Sequence, residues 1–369
     1  MSLRLEDIRW DGLFPRQVSG EAREQFTPLH CESTILVTGA GGSIGAALSR
    51  ALDQLQPRTL ILFDSSEQNL YYIQRDLAAR AAATTLAPVL GSVADEGCVR
   101  DVFQRFRPHI VYHAAALKHV PLGEMNPFAV VRNNVFGTST VAKVASEYAA
   151  ERLIMISTDK SVNPVSIMGA SKRLAEIVLL GAGSPRCRMT SIRLGNVLGS
   201  EGSVVPLFLE QIARGEPVTV TDPEVERYFL TMEETVGRIL SAAATCPEEA
   251  VVAVPVMGEP VKIADLARYL IQRAFAQDVQ ITFTGLRPGD KLQEEFVSMN
   301  ETIVQETAGG LKWVRSPGLA SAELAAGLAE LQAAIDQRNL AELLATLTHL
   351  VPEYEPTAYL RGQVETAAR

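Results

Sequence analysis

Short, unbroken apolar runs alternate with amphipathic stretches through the first half of the chain. The first run, Thr34-Ile-Leu-Val-Thr38, is closed by glycines, and residues 46–55 follow it with apolar positions at helical spacing. The unit then recurs, with apolar runs at 59–64, 87–90, 110–113, 152–157 and 189–194 and helical spacing from 67, 95, 126 and 165. Strands covered on both faces read as continuous apolar runs because neither side meets water. Six of them separated by helices predict an α/β fold built on a doubly wound parallel sheet. Beyond Gly195 the rhythm loosens. Short strands at 218–221 and 251–256, between helices at 204–215, 232–245 and 261–276, predict a smaller α/β domain, and the Ala-, Leu- and Glu-rich stretch 320–350 predicts two terminal helices. The expected division is a polar leader over 1–32, the doubly wound domain over 33–195, the smaller domain mainly over 196–317 and C-terminal helices over 318–369.

Composition narrows the class. In 369 residues, 47% hydrophobic and 21% charged positions are globular proportions. A net charge of −9 opposes binding to a phosphate backbone, so no nucleic acid is expected as partner. Cys31, Cys98, Cys187 and Cys246 are widely scattered, with no close pair for a zinc knuckle or redox dithiol, and no metal site is expected. The first thirty residues carry charges throughout, which argues against a signal peptide. The longest uncharged run, 33–49, is too rich in Gly, Ser and Thr to span a membrane. The expectation is a soluble, cytoplasmic protein without a membrane partner.

The turn after the first strand reads Gly39-Ala-Gly-Gly42-Ser43-Ile44-Gly45 and opens a helix. Backbone amides at such a helix N-terminus hold a pyrophosphate, with Gly39 for the turn, Gly42 for close approach and Gly45 for packing. The predicted sheet is therefore Rossmann-like. Asp64, closing the second strand about 20 residues beyond the glycines, can accept from both hydroxyls of an adenine ribose and repels a 2′-phosphate. NAD is expected as cofactor, in preference to NADP. The other reading of Asp64 is an N-cap for the next helix, a role Ser65 or Ser66 could also fill.

Lys172 lies four residues into the helix after the fifth strand, and with the glycine spacing and His113-Ala114-Ala115-Ala116 it resembles the extended short-chain dehydrogenase/reductases. In that superfamily a tyrosine precedes the lysine by four positions, on the same helix face. Here that position is Met168, and a thioether cannot take a hydroxyl proton. Further motifs, Ser157-Thr158-Asp159-Lys160-Ser-Val-Asn-Pro164, Lys118-His119-Val-Pro-Leu122, Arg193-Leu-Gly-Asn196-Val-Leu-Gly-Ser200, Arg227-Tyr-Phe-Leu230 and Gly285-Leu-Arg287-Pro-Gly-Asp-Lys-Leu292, resemble the bacterial polysaccharide-biosynthesis nucleotide-sugar 4,6-dehydratases. The resemblance runs from about residue 5 to 317. Its configuration-retaining branch, acting on UDP-N-acetylglucosamine, carries methionine where the tyrosine is expected. Many members have added N-terminal membrane helices, and this chain looks like their soluble catalytic part.

The resemblance implies C4 oxidation by internally recycled NAD, loss of water across C5 and C6, and return of hydrogen to C6. It assigns Asp159 as acid at the 6-hydroxyl, Lys160 as base at C5 and Thr158 as partner of the 4-hydroxyl. Lys172 would bond the nicotinamide ribose. Ser92 and Val93 would border the adenine, Ala114 and Ala115 the cofactor, and Ser203 and Val204 the nucleotide. Lys118 and His119 are candidates at the sugar or diphosphate, although a histidine is as often structural. Asn196, Arg227 and Arg287 are candidates at the diphosphate and uridine, since guanidinium forks match phosphate oxygens, and surface ion pairs are the other reading of the arginines. Taken alone, Asp159-Lys160 also reads as a solvated turn. Relatives usually place aspartate at Ser92, histidine at Asp222, methionine at Gly123 and glutamate at Asp290. The resemblance further implies a homo-oligomer and a UDP-sugar partner. A nucleotide-sugar epimerase, a C5-inverting dehydratase and a non-catalytic binding protein are the alternatives.

Overall fold

The computed structural model describes residues 5–14, 23–80, 83–307 and 310–367. After a one-turn helix α1 (Thr27–His30), the chain alternates β1 (Thr34–Thr38), α2 (Ser43–Asp53), β2 (Thr59–Asp64), α3 (Glu67–Ala78), β3 (Thr85–Leu90), α4 (Glu96–Phe106) and β4 (Ile110–His113). Two short helices follow, α5 (Val120–Met125) and α6 (Pro127–Val131). A π-helical turn (Arg132–Phe136) runs into α7 (Gly137–Glu147), and then come β5 (Arg152–Thr158), α8 (Ile167–Ala182) and β6 (Arg188–Leu194). Hydroxyl and carboxylate caps set the helix starts: Ser66 accepts from Asn69 N, Asp95 from Cys98 N and Ser166 from Gly169 N. Ser66 thus caps α3, and Asp64 is left for another task.

The second half begins with β7 (Asn196–Val197), α9 (Val204–Ala213), β8 (Val218–Val220), β9 (Glu226–Arg227), β10 (Phe229–Leu230), α10 (Met232–Ala244) and β11 (Val252–Pro255). It continues through β12 (Val261–Lys262), α11 (Ile263–Arg273), β13 (Ile281–Phe283), β14 (Thr302–Glu306) and β15 (Leu311–Arg315), and ends in helices α12 (Ser321–Asp336), α13 (Leu340–Leu350) and α14 (Ala358–Ala367).

Nine strands form the main sheet in the order β14-β15-β11-β6-β5-β4-β1-β2-β3. From β11 to β3 neighbouring strands are parallel, while β15 and β14 add antiparallel at the far edge. This is the doubly wound, Rossmann-like arrangement the apolar runs predict. Leu48, Leu52, Leu70, Ile73, Ile239 and Leu240 cover one face from α2, α3 and α10, and Val99, Phe103, Val141, Val144, Ala175 and Leu179 cover the other from α4, α7 and α8. Fully burying each of the Leu, Ile, Val and Phe side chains among these contributes about 1.5–3 kcal/mol.

Two elements correct the sequence reading. The strand expected at 251–256 in the smaller domain is β11, the seventh strand of the main sheet, paired with β6; the helix before it, α10, packs on that sheet as well. Its apolar run suited burial on both faces, which a small separate sheet does not offer. The smaller unit keeps β8 with β13, β9 with β12, and the helices α9 and α11 around Val205, Phe208, Val218, Leu266 and Leu270. The leader is only partly described, since 1–4 and 15–22 lie outside the described residues. Its Ile8 and Phe14 join the small unit's core and Phe26 the main one.

Candidate active site

A cleft of about 360 Å³ opens at the carboxyl ends of β4, β5 and β6, where a doubly wound sheet receives ligands. Ile44, Ala114, Lys118, His119, Thr158, Lys160, Met168 and Lys172 line it from the main unit. Asn196, Ser203, Val204, Arg227 and Arg287 line it from beyond β6.

The glycine turn is built for close approach. Gly39 has φ +66 and lies so near Ala114 and Ala115 that a Cβ would sit 2.8 Å from the Ala115 backbone. At Gly45 a Cβ would fall 1.9 Å from Gly39 O, whereas at Gly42 it would meet only Gly39 O at 3.4 Å. The surface at Gly42, the N-cap of α2, is thus clear for a ligand while the other two glycines are packed. Asp64 accepts from Gly41 N and Ser66 N, both at 2.8 Å, and ties the glycine turn to the end of β2. Each carboxylate oxygen retains a lone pair for a hydroxyl donor. Ser92 Oγ accepts from Ala94 N and makes a tight turn just past β3, with Val93 buried behind it. These residues fit a dinucleotide laid over β1, β2 and β3. Ser43 Oγ accepts from Glu201 N, which joins this turn to the loop carrying Gly202 and Ser203.

At the end of β5 the chain leaves the sheet as a 3-10 turn, Asp159–Ser161, with Thr158 as its N-cap. Adjacent residues are thereby freed from strand alternation. Lys160 Nζ reaches Asp159 Oδ1 at 3.0 Å and Asn196 Oδ1 at 3.5 Å. Thr158 Oγ1 donates to Asp159 Oδ1 at 2.9 Å. Asp159 itself is wholly buried under the cleft floor, and its Oδ2 has no hydrogen-bond partner. Burial opposes the charge on Lys160, but Asp159 and Glu294 outweigh it and hold the ammonium above the usual lysine range.

Met168 and Lys172 share the cleft face of α8. Met168 packs against Val120 and Val130 at 3% exposure. Burial brings Lys172 down to about 8, with Glu176 one turn on opposing it. Across the cleft, burial and then Lys118 lower His119, while burial lowers Lys118 against the pull of Glu201. Gly202, with φ +66, folds over His119 so tightly that a Cβ would lie 2.4 Å from its ring.

Arg227 and Arg287 differ in freedom. The Arg227 guanidinium donates to the carbonyls of Glu226, Leu292 and Lys291 and so fastens the 285–292 loop. Arg287 is exposed at the cleft mouth, and its Nε donates to Asp290 at 2.9 Å.

Five residues around this site received no role from the sequence. Asn134, in the π-helical turn, accepts from Leu117 N and donates to Leu117 O and Ser171 Oγ, which fixes the loop carrying Lys118 to α8. Glu176 and Arg193 form a buried pair at 2.7 Å that Glu301 completes, also at 2.7 Å. Glu294 stands 3.3 Å from Lys160. The sequence signals were polar residues inside otherwise apolar elements for Asn134 and Glu176, the place of Arg193 at the head of the 193–200 motif and the nearness of Glu294 to the 285–292 motif, while Glu301 carried none. Among the described residues no cluster of His, Cys, Asp and Glu could hold a metal ion.

The family described as "Polysaccharide biosynthesis protein" matches residues 35–314. The chain belongs to this family. The capsular polysaccharide biosynthesis protein CapD of Staphylococcus aureus is 45% identical over 278 residues, 74% of this chain and 46% of that protein. The chain thus spans about half the length of that family member. A UDP-N-acetylglucosamine 4,6-dehydratase (inverting) of Campylobacter jejuni is 31% identical over 283 residues, 73% of this chain and 79% of that protein. Among solved structures, Pen from Bacillus thuringiensis has 29% identity and a TM-score of 0.67, covering 72% of this chain and 84% of that one.

Proposed function

We propose that this family member is an NAD-dependent nucleotide-sugar 4,6-dehydratase, acting on UDP-N-acetylglucosamine with retention at C5. The observation that carries the reading is the 3.0 Å contact between Asp159, beneath the cleft floor, and Lys160, at the cleft surface. Loss of water across C5 and C6 needs a base at one carbon and an acid at the oxygen leaving the other. A proton passed from Lys160 Nζ to Asp159 leaves a neutral amine and a neutral carboxyl group, the forms required. The amine takes the C5 proton and its electron pair forms the C5–C6 double bond. Asp159 returns its proton through the Thr158 hydroxyl to the departing 6-hydroxyl, and water leaves. The pair ends as ammonium and carboxylate, as it began.

NAD would supply the reversible removal of a hydride from C4 before this step and its return at C6 after it. The C4 hydroxyl proton leaves to solvent in the first stage; in the last the Lys160 ammonium gives its proton back to C5 on the face it left, and Lys160 is reprotonated from solvent. Gly39, Gly42, Ser43, Ile44 and Gly45 hold the pyrophosphate at the start of α2, and Asp64 takes the adenine ribose, which favours NAD over NADP. Ser92 and Val93 border the adenine, and Ala114 and Ala115 the middle of the cofactor. Lys172 bonds the nicotinamide ribose and places positive charge beside the ring. Lys118, His119, Asn196, Ser203, Val204, Arg227 and Arg287 take the UDP-sugar. Met168 accepts no proton, in keeping with the retaining branch that the motifs resemble.

Asp159→Asn tests the acid role. Dehydration should fall by about 100-fold or more while UDP-sugar binding stays within a few fold. Unchanged turnover in that variant would remove Asp159 from the chemistry.

A further inference from the structure

Glu294 follows the 285–292 loop and is 5% exposed, yet three cations surround it. Its Oε1 lies 3.3 Å from Lys160 Nζ and 3.8 Å from Arg227 Nη2, and its Oε2 lies 3.5 Å from Lys291 Nζ. Oε2 is buried without a hydrogen-bond partner. A buried carboxylate persists only where nearby charge compensates it. Arg227 and Lys291 are already engaged by the backbone, Arg227 at three carbonyls and Lys291 at Val162 O, 2.7 Å away. Of the three cations, Lys160 is held only by side chains and is the most exposed, at 24% of its side chain.

We propose that Glu294 is a positioning carboxylate for Lys160, set across from Asp159 so that it stabilises the ammonium formed when Lys160 takes a proton from the substrate. A fixed carboxylate behind a general base does this by opposing the charge that develops during proton transfer. The groups facing Lys160 are Asp159 from its own turn, Glu294 and Arg227 from beyond β6, and Asn196, which is neutral. With Glu294 neutralised, Asp159 alone would favour the ammonium and Arg227 would oppose it. The proposal rests on the dehydratase reading for its catalytic part only, because the proton state of Lys160 can be read without turnover.

The test is the pH dependence of Lys160 acylation by an amine reagent, read by peptide mass spectrometry in the full chain without substrate, for wild type, Glu294→Gln and Glu294→Asp. In Glu294→Gln the midpoint should fall by about one pH unit or more, with Glu294→Asp between the two. Turnover of Glu294→Gln should drop about tenfold or more in kcat, with KM within about twofold. A midpoint that does not move would overturn the proposal and leave Glu294 as a loop anchor, as would a loss confined to KM. If Glu294→Gln does not fold, Glu294→Asp is compared with Lys291→Met. A midpoint lowered in the first and not in the second supports the proposal, and equal midpoints overturn it. Wild-type protein yielding no dehydrated product would count against the dehydratase alone, since the acylation midpoint is measured independently.

Discussion

Lys172 and Lys160 are both lysines at one cleft, and their surroundings push them in opposite directions. Lys172 is 4% exposed, and burial brings it down to about 8, with Glu176 opposing the shift. Lys160 faces two carboxylates and is held above the usual range. Below about pH 8 Lys172 is therefore an ammonium, and above it a neutral amine. If its charge supports C4 oxidation, kcat/KM should decline on the alkaline side with a midpoint near 8, and Lys172→Met should abolish that limb along with most activity. A pH–rate profile flat through pH 9 would show that the charge on Lys172 does not matter to the reaction. The sequence could propose both lysines because each sits beside a recognisable local pattern. It could not propose Glu294, whose meaning depends on the loop after β13 crossing to the end of β5, or show that Asp159 lies beneath the floor.

Among the elements, the Asp159–Ser161 turn is braced by a buried polar network. Glu176 of α8 accepts from Ser157 and Ser161 of the β5 end and pairs with Arg193 of β6, which also donates to Glu301 and to Phe296 O. Burial alone would raise both carboxyl groups, but Arg193 holds Glu176 below the usual range and Glu301 down to about 2. Removing the cation takes from buried Glu301 its ion-pair partner and leaves Glu176 with Arg173 at 3.7 Å, so Arg193→Leu should cost about 3–5 kcal/mol by urea denaturation. A cost under about 1 kcal/mol would mean that the network is slack. The sign with pH follows from Glu301. Its contribution is complete above about pH 4.3, the ordinary carboxylate value, and is lost as pH falls towards about 2. Glu301→Gln should flatten stability over that interval.

The strands of this frame were legible because a sheet covered on both faces demands unbroken apolar runs. Helix α5 was not, because Pro121 and Gly123 conceal it: proline is tolerated at the start of a helix, and at Gly123 a Cβ would approach Val130 and Ile167 within 3.4–3.5 Å. The placement of β11 was also missed, since an apolar run does not reveal which sheet it joins.

Over the whole molecule, the three C-terminal helices cover the outer side of α8. Leu331, Leu343, Leu347 and Leu350 pack on Ile167, Leu174 and Ile177, and Arg173, next to Lys172, donates to Glu353 and Pro317 O. Buried Glu124 accepts from Ile167 N at the start of α8 and from Thr357 just before α14. The family match ends at residue 314, so this cover lies outside it. Deleting residues 319–367 should expose that apolar face and give a self-associating or insoluble product by size-exclusion chromatography. A truncated chain that stays monodisperse with unchanged size and stability would show the cover to be dispensable. Among the described residues no helix is long and apolar enough to cross a membrane.

Mass spectrometry of the product tests the proposed reaction most directly. Purified protein given UDP-N-acetylglucosamine and substoichiometric NAD should yield a UDP-sugar lighter by one water, with Asp159→Asn yielding almost none. A product of unchanged mass, separable from the substrate as an isomer, would contradict dehydration and indicate epimerisation at C4.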